Sequence, residues 1–385
     1  MNKVIITEQV PIKCWCNNIE GSAIEQAKNL ANLPFAYKHI ALMPDCHAGF
    51  GMPIGGVLAT ENVLVPGAVG VDIGCGMAVV KTNLKNIKRP DLEEVVNIIK
   101  QMVPVSTATN PNYPHQIKLA DYSKLSVISS DACFIDESMG TLGGGNHFIE
   151  IQENSEHEIY IMVHCGSRGI GYQVGQYYTN LAAEINKRWF SQVDEKSGLS
   201  FLPVSSVEGQ EYWNEMNWCI DYAQKNRQAI INACMTAFYK VIHTVQFDNI
   251  IDVKHNYAAW ENHFGKNVIV HRKGATRARI GDTCIIPGSM GTYSVIGTGL
   301  GNKDSFCSCS HGAGRKLSRT VARNTLDLQS EIDFMNQKNI IHEIKTEKNL
   351  DEAPHAYKDI DVVLKNESDL VQVVEKLFPL AVIKG

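Results

Sequence analysis

More than half of the glycines in this chain fall in two short stretches. Residues 43–76 hold eight and residues 281–314 another eight, so 16 of the 30 sit in 68 of the 385 positions. Smaller clusters follow at Gly140–Gly145 and Gly166–Gly175. Glycine at such density serves turns that need positive φ, or backbone that must come close to a ligand.

Between these islands the pattern is mixed. Pro90 to Val103 reads as an amphipathic helix with Pro90 in its first turn. Ile159–Val163 is an apolar run ending at His164, as in a buried strand that delivers a histidine at its end. Helices are expected over Val174–Phe190 and Gln210–His243, around a looser Asp194–Gly209 segment. Strands are expected at Ile250–Val253, Val268–Val270 and Thr283–Ile286. A helix is expected from near Gly314, and another over Ser368–Phe378 with Ser368 as N-cap. Pro379 would end that helix before a final strand, Leu380–Ile383. The reading is an α+β fold: one large domain, residues 1–385, of mixed sheets with a mainly helical insertion at about 174–245.

Hydrophobic residues make up 44% of the chain and charged residues 20%, ordinary values for a large buried core. The 36 Lys+Arg against 41 Asp+Glu leave a net charge of −5. That excludes a protein that coats nucleic acid through a large positive excess, and leaves room for a local cationic site. Val63–Val80, the most apolar stretch, is broken by Pro66, Asp72 and four glycines and is no membrane span. The opening MNKVIITEQV lacks the apolar core of a signal peptide, and eleven cysteines are an odd number. A reducing cytoplasm is the expectation, with cysteines buried or used as ligands.

Several islands carry chemistry. In Gly70–Gly76, Asp72 and Cys75 lie three apart on a glycine-loosened backbone and suit a divalent transition metal; the bland alternative is an apolar turn with a buried thiol. Gly143–Gly145 could turn backbone N–H groups toward a phosphate, with Asn146, His147 and Glu150 directly after. His164 precedes Arg168 by four residues; the arginine's planar fork suits phosphate oxygens, although a surface ion pair would explain it equally. His255-Asn256 follows an expected strand in the same way. In Cys307–Arg319 two readings stay open. Cys307, Cys309 and His311, if extended, share one face and could hold zinc. Alternatively His311 is a nucleophile, with Arg315 and Arg319 on one helical face as a phosphate clamp. Gly297-x-Gly299-x-Gly301 has the wrong spacing for a dinucleotide fingerprint, and neither a Walker loop nor a Gly-x-Ser-x-Gly elbow is present.

Met43–Gly49, Gly55-Gly56, Gly70–Gly76, Gly143–Glu150, His164–Gly169, His255-Asn256, Arg272–Thr276, Pro287–Gly291, His311–Arg319 and Val382–Gly385 run in order along essentially the whole chain. As an ordered set they resemble the RtcB-type RNA-splicing ligases. The resemblance implies transfer of guanylate from GTP to a histidine, here His311, then to an RNA 3′-phosphate, from which a 5′-hydroxyl displaces it. It implies two manganese ions bridged by Cys75, one completed by His164 and His255 and the other by Asp72 and His147. Guanine-nucleotide contacts map onto Asn146, His147, Glu150, His255, Asn256, Pro287, Gly288, Ser289, Met290, Ser294, Gly312, Ala313, Gly314, Tyr357 and Lys384. Arg168, Arg315 and Arg319 fall where RNA phosphates are handled.

The resemblance further implies cleaved tRNA or rRNA ends as partners, a helper protein for guanylate transfer or metal loading, a monomer, and no membrane. Cys46 and Cys165 depart from the family's usual small residues without removing a ligand, and the chain is short for the family. The Cys, His and Asp donors would accept zinc as readily as manganese. Two other readings stand beside the ligase: a metal-dependent phosphoesterase on the same centre, and a zinc-stabilised RNA-binding module on Cys307, Cys309 and His311. Both leave most glycine islands unexplained.

Overall fold

A computed structural model of the chain describes residues 1–110 and 117–385. The architecture is α+β, as the alternation of elements suggests, and it rests on two large sheets. The first runs in the order β1 (Lys3–Ile5), β2 (Ile12–Cys14), β3 (Ala36–His47), β4 (Ile54–Thr60), β12 (Lys266–Lys273), β11 (Asn256–His263). Its β2–β3 pair is parallel and the other pairs antiparallel. The second, antiparallel throughout, runs β10 (Ile251–Lys254), β6 (Gly76–Lys85), β8 (Glu158–Cys165), β7 (Phe148–Glu153), β17 (Val371–Lys384), β15 (Ser294–Gly299), β14 (Thr283–Ile286). Two small ribbons complete the set: β13 (Ala275–Arg277) with β16 (Ser308–Ser310), and β5 (Val63–Leu64) with β9 (Leu202–Pro203).

Strand alternation sorts the second sheet into two faces. Ala78, Val80, Ile149, Ile151, Ile161 and Val163 pack under helix Arg89–Met102 and the C-terminal half of helix Val207–Val241, which contribute Val95, Val96, Ile99, Ile230, Cys234 and Phe238. The intervening residues Met77, Val79, Phe148, Tyr160 and Met162 turn the other way, toward Ile285 and Leu377. Glu150 and His164 share that second parity. Strand parity thus places these buried chemistry-bearing side chains on the face away from the helices, beside a second apolar cluster.

Helix Arg168–Arg188 packs on the first half of helix Val207–Val241 through Val174, Tyr178, Tyr212 and Met216. Within that contact lies a buried carboxylate. Glu215, 1% exposed, accepts from Tyr178 OH at 3.0 Å, Ser126 Oγ at 3.1 Å, Val127 N at 3.0 Å and Ile128 N at 3.1 Å. Four donors compensate its desolvation and pin residues 126–128 to the helices. Glu215→Ala strands those donors and is expected to lower the unfolding free energy by about 3 kcal/mol in a urea titration, more than Glu215→Gln does. An unchanged midpoint would mean that the segment is held by something else.

Most sequence-derived elements appear: β14 with the expected ends, and helices Arg89–Met102, Arg168–Arg188 and Val207–Val241 and strands β8, β10 and β12 with shifted ones. Helix Val207–Val241 starts early because Ser206 caps it, accepting from Gly209 N at 3.0 Å. Two expectations fail. Ser368–Phe378 is not a helix: Val371 opens β17, which pairs with β15 and then with β7 as far as Lys384. Its β-branched residues suit a strand, and Pro379 sits at a register shift, where a missing N–H is tolerated. The helix expected from Gly314 begins only at Arg319, capped by Ser318. Among the described residues, no helix is long and apolar enough to cross a membrane.

Candidate active site

Several strand ends and the glycine islands meet at one cavity of about 820 Å³. Phe148 of β7 lies opposite His164 of β8, itself opposite Met77 of β6, and Cys75 immediately precedes β6. At His255-Asn256 the chain leaves β10 in one sheet and enters β11 in the other, so both side chains stand at the junction of the sheets. β16 pairs with β13, Ser310 opposite Ala275, and delivers His311 at its end.

Five donor atoms form a continuous chain there. Asp72 Oδ2 is 3.3 Å from His147 Nε2, which is 3.4 Å from Cys75 Sγ. Cys75 Sγ is 3.3 Å from His164 Nε2, and that nitrogen is 3.3 Å from His255 Nε2. The Nδ1 nitrogens of His147 and His164 face the carbonyls of Leu142 and Asn146, each at 3.1 Å. A carbonyl can only accept, so each Nδ1 carries a proton, and Nε2 is the ring atom turned toward the other donors. His255 Nδ1 is buried without a partner. Burial, then the neighbouring imidazoles, holds His164 and His255 well below the usual histidine range, so both are neutral. Burial disfavours charge on Asp72, yet the His147 ring beside it, held well above the usual histidine range by the surrounding thiols and Asp72 itself, keeps the carboxyl down at about 2. Burial, then the Asp72 charge, pushes the Cys75 thiol up to about 12. One carboxylate, one central sulfur and three imidazoles within reach of one another fit a site for divalent transition ions.

His311 stands beside this cluster, its ring 4.9 Å from that of His255. Its Nδ1 lies 2.6 Å from Asp45 Oδ2, which also accepts from the His311 backbone N at 3.2 Å. Asp45 is fully buried and its other oxygen has no partner. Nδ1–H therefore donates to the carboxylate, and Nε2 is left as a free lone pair in a cavity-lining ring. Glycine is required around it. Gly314, at φ +73°, has a Cβ position only 2.3 Å from Asp45 O, and Gly274, at φ +62°, has one 3.0 Å from the His311 ring.

The remaining expected residues fall into place around the same space. Asn146, Glu150, Asn256, Pro287, Gly288, Ser289, Met290, Gly312, Ala313, Gly314, Arg315, Arg319, Tyr357 and Lys384 all line the cavity with Asp72, Cys75, His164, His255 and His311. Ala313 N donates to Pro287 O at 2.9 Å, tying two of the loops together. Three expected residues do not line it. His147 sits behind Cys75, Ser294 is buried under Gly288 and Gln152, and Arg168 bonds to Thr141 Oγ1 and Ser106 O at 2.8 Å each. Arg315 and Arg319 do not share a helical face. Arg315 is in extended backbone bridged to Tyr357, and its fork is used by Glu352, Asp351 O and Leu317 O. Nor do Cys307, Cys309 and His311 form a cluster: Cys307 is at φ 49°, Cys309 is packed in the core, and His311 is on Asp45.

Four lining or supporting residues were given no role by the sequence reading: Asp45, His47 and Lys273 lie inside the quoted segments Met43–Gly49 and Arg272–Thr276, and Glu352 lies outside them all. Asp45 lies within the apolar run Leu42–Cys46, where a buried carboxylate needs a partner, and that was its signal. His47 also lines the cavity, and burial holds it at about 4. Lys273 donates to Phe50 O at 2.5 Å, and burial lowers it to about 8. Glu352 gathers Arg315 at 3.1 Å, Arg319 at 3.2 Å, Lys384 at 3.6 Å and the Tyr357 hydroxyl; nothing local in the sequence marks it.

Comparison with known proteins gives a consistent picture. The family model described as tRNA-splicing ligase RtcB matches residues 26–135 and 115–385. The RNA-splicing ligase RtcB of Escherichia coli K12 is 37% identical over 416 aligned positions, covering 100% of this chain and 99% of that protein. The tRNA-splicing ligase RtcB of Methanococcus maripaludis is 34% identical over 447 positions, with 96% and 92% covered. That of Thermococcus kodakarensis is 32% identical over 438 positions, with 94% and 91% covered.

Proposed function

The chain belongs to the RtcB family of tRNA-splicing ligases, and from that premise we propose that it joins an RNA 3′-phosphate or 2′,3′-cyclic phosphate end to a 5′-hydroxyl end. In this reading GTP is the co-substrate, and the purpose is tRNA splicing or RNA repair. The observation that carries it is His311, held by buried Asp45 at the edge of the Asp72–His255 donor chain within one cavity.

His311 Nε2 attacks the α-phosphorus of GTP; the phosphorus–nitrogen bond forms and pyrophosphate leaves. The imidazole gains positive charge in that step, and the Asp45 carboxylate on Nδ1–H stabilises it. A 2′,3′-cyclic end is first opened by water to a 2′-hydroxyl and a 3′-phosphate; an oxygen of the RNA 3′-phosphate then takes the guanylate, freeing His311. The 5′-hydroxyl oxygen finally attacks the 3′-phosphorus and GMP leaves. Asp72, Cys75, His147, His164 and His255 would hold two manganese ions, which when bound would neutralise phosphoryl oxygens. Arg319, half exposed and using one guanidinium nitrogen on Glu352, is the freer of the two arginines for an RNA phosphate.

Glu150 and Lys384 would read the guanine edge, with Asn146, Asn256 and Tyr357 around the nucleotide. Burial raises the Glu150 carboxyl to about 7, against the pull of Lys384 and Gln152. Accepting from the guanine N–H groups requires the carboxylate, which is present above about 7 and lost as pH falls through it. The Kd for GTP should therefore rise about tenfold per pH unit below that point, and Glu150→Gln should bind weakly but with a flat profile between about pH 6 and 8, about one unit either side of the titration. Calorimetric titration of the nucleotide across that range is the measurement, and a flat wild-type profile would remove Glu150 from the guanine contact.

Joining of labelled RNA halves with defined ends tests the reading as a whole. Product is expected from 3′-phosphate plus 5′-hydroxyl ends with GTP and manganese, and none from 3′-hydroxyl plus 5′-phosphate ends. Release of inorganic phosphate without joining would instead make the protein a phosphoesterase.

A further inference from the structure

The mouth of the cavity carries features that guanylate transfer does not use. Two aromatic side chains line it while standing largely in water, Phe50 at 62% exposure and Tyr172 at 56%. Scattered apolar exposure is ordinary, but two rings on one functional cavity are not scattered.

Both rings are carried on fixed supports. The Phe50 carbonyl accepts from the Lys273 ammonium at 2.5 Å. Its ring edge lies over Gly198, where a Cβ would stand 2.9 Å from two ring carbons. Tyr172 belongs to helix Arg168–Arg188, which also sends Gln176 and Thr179 to the cavity wall, at the i+4 and i+7 spacing of one helix face. Gly175 lets that helix approach Val71, another lining residue, with a Cβ position 2.9 Å from Val71 Cα. The rim is therefore built rather than loose, and it ends in flat apolar surfaces.

A phosphate would seek cations or amides at such a place. A flat ring seeks another flat ring. Unpaired nucleobases stack on aromatic side chains with little regard to sequence, because every base presents a π face. An RNA end that must reach His311 brings its last bases to this mouth. We propose that Phe50 and Tyr172 form a stacking subsite for the unpaired nucleobase adjoining the RNA end being joined. The proposal rests on the ligase reading and adds to it a requirement for an unpaired base at the junction. The base could belong to the 3′-phosphate strand or to the 5′-hydroxyl strand; the chemistry is the same, and the test separates them.

Steady-state ligation with the full chain, GTP and manganese is measured on two further substrates. One has an abasic terminal nucleotide on the 3′-phosphate strand, the other on the 5′-hydroxyl strand. With intact RNA, Tyr172→Ala and Phe50→Ala are each expected to raise KM for RNA about tenfold with kcat changed less than about twofold. Tyr172→Phe should keep the wild-type KM, since the ring and not the hydroxyl makes the contact. With the abasic nucleotide in the stacked position, wild type and Tyr172→Ala should share one raised KM, and the other abasic substrate should preserve their difference. Equal KM values for wild type and both alanine variants on intact RNA would overturn the subsite, as would a difference that survives on both abasic substrates. Those results, in a wild type that takes up GMP from GTP, sink this proposal alone; a wild type that takes up no GMP sinks the ligase reading beneath it.

Discussion

On the proposed mechanism, His311→Ala takes up no label from α-labelled GTP and joins no RNA, a loss of at least about 10⁴-fold, because it removes the atom that would form the bond. The geometry makes the prediction specific. Only an imidazole with its Nδ1 proton committed to Asp45 presents a bare Nε2 to the cavity. Asp45→Asn keeps the shape but replaces a charged acceptor by a neutral amide that can favour the wrong tautomer; about 10²–10⁴-fold slower uptake of label follows. The two variants together form the test. Label retained by His311→Ala would place the nucleophile elsewhere, and Asp45→Asn at full rate would reduce Asp45 to a structural residue.

Cys75→Ala is the second large effect, and its readout does not depend on catalysis. Cys75 Sγ is the middle atom of the donor chain, within 3.4 Å of both His147 and His164. Removing it breaks the one link common to the Asp72–His147 side and the His164–His255 side. Even outer partners of metal ligands contribute about 10–100-fold to affinity, so losing a shared ligand should weaken manganese binding by more than about 100-fold. Equilibrium dialysis with manganese, followed by metal analysis, is expected to show near two ions per wild-type chain and under one per Cys75→Ala chain. Equal stoichiometry and affinity in the two proteins would remove Cys75 from the centre. His147→Ala should spare the His164–His255 side better than Cys75→Ala does.

The ordered glycine islands were the legible part of the site. They carry their chemistry in short segments, so Asp72-x-x-Cys75, Asn146–Glu150, His255-Asn256 and His311–Gly314 could each be read locally before being brought to one cavity. What escaped was whatever depends on distant packing. Asp45 and His311 are 266 residues apart, and Glu352 meets Arg315 and Lys384 only through tertiary contact. The fold shows the same division. Strands β8 and β14 were visible because an apolar run between turn signals is a local feature. β17 was not: Val371, Val373 and Val374 tolerate a helical reading, and only pairing with β15 and β7 decides for the strand. The arginines failed for a related reason. Spacing four apart implies one face only inside a helix, and the helix starts at Arg319.

The 266-residue gap between Asp45 and His311 also bears on how this protein acquires its activity. Helix Val207–Val241 is built from local contacts and forms on the fast timescale of helices. The Asp45–His311 contact closes only when β3 and β16 have both found their places, and such non-local pairings come late. A refolding chain would thus regain its helical signal well before its first turnover. Recovered activity is therefore a stricter gauge of the native state than recovered secondary structure.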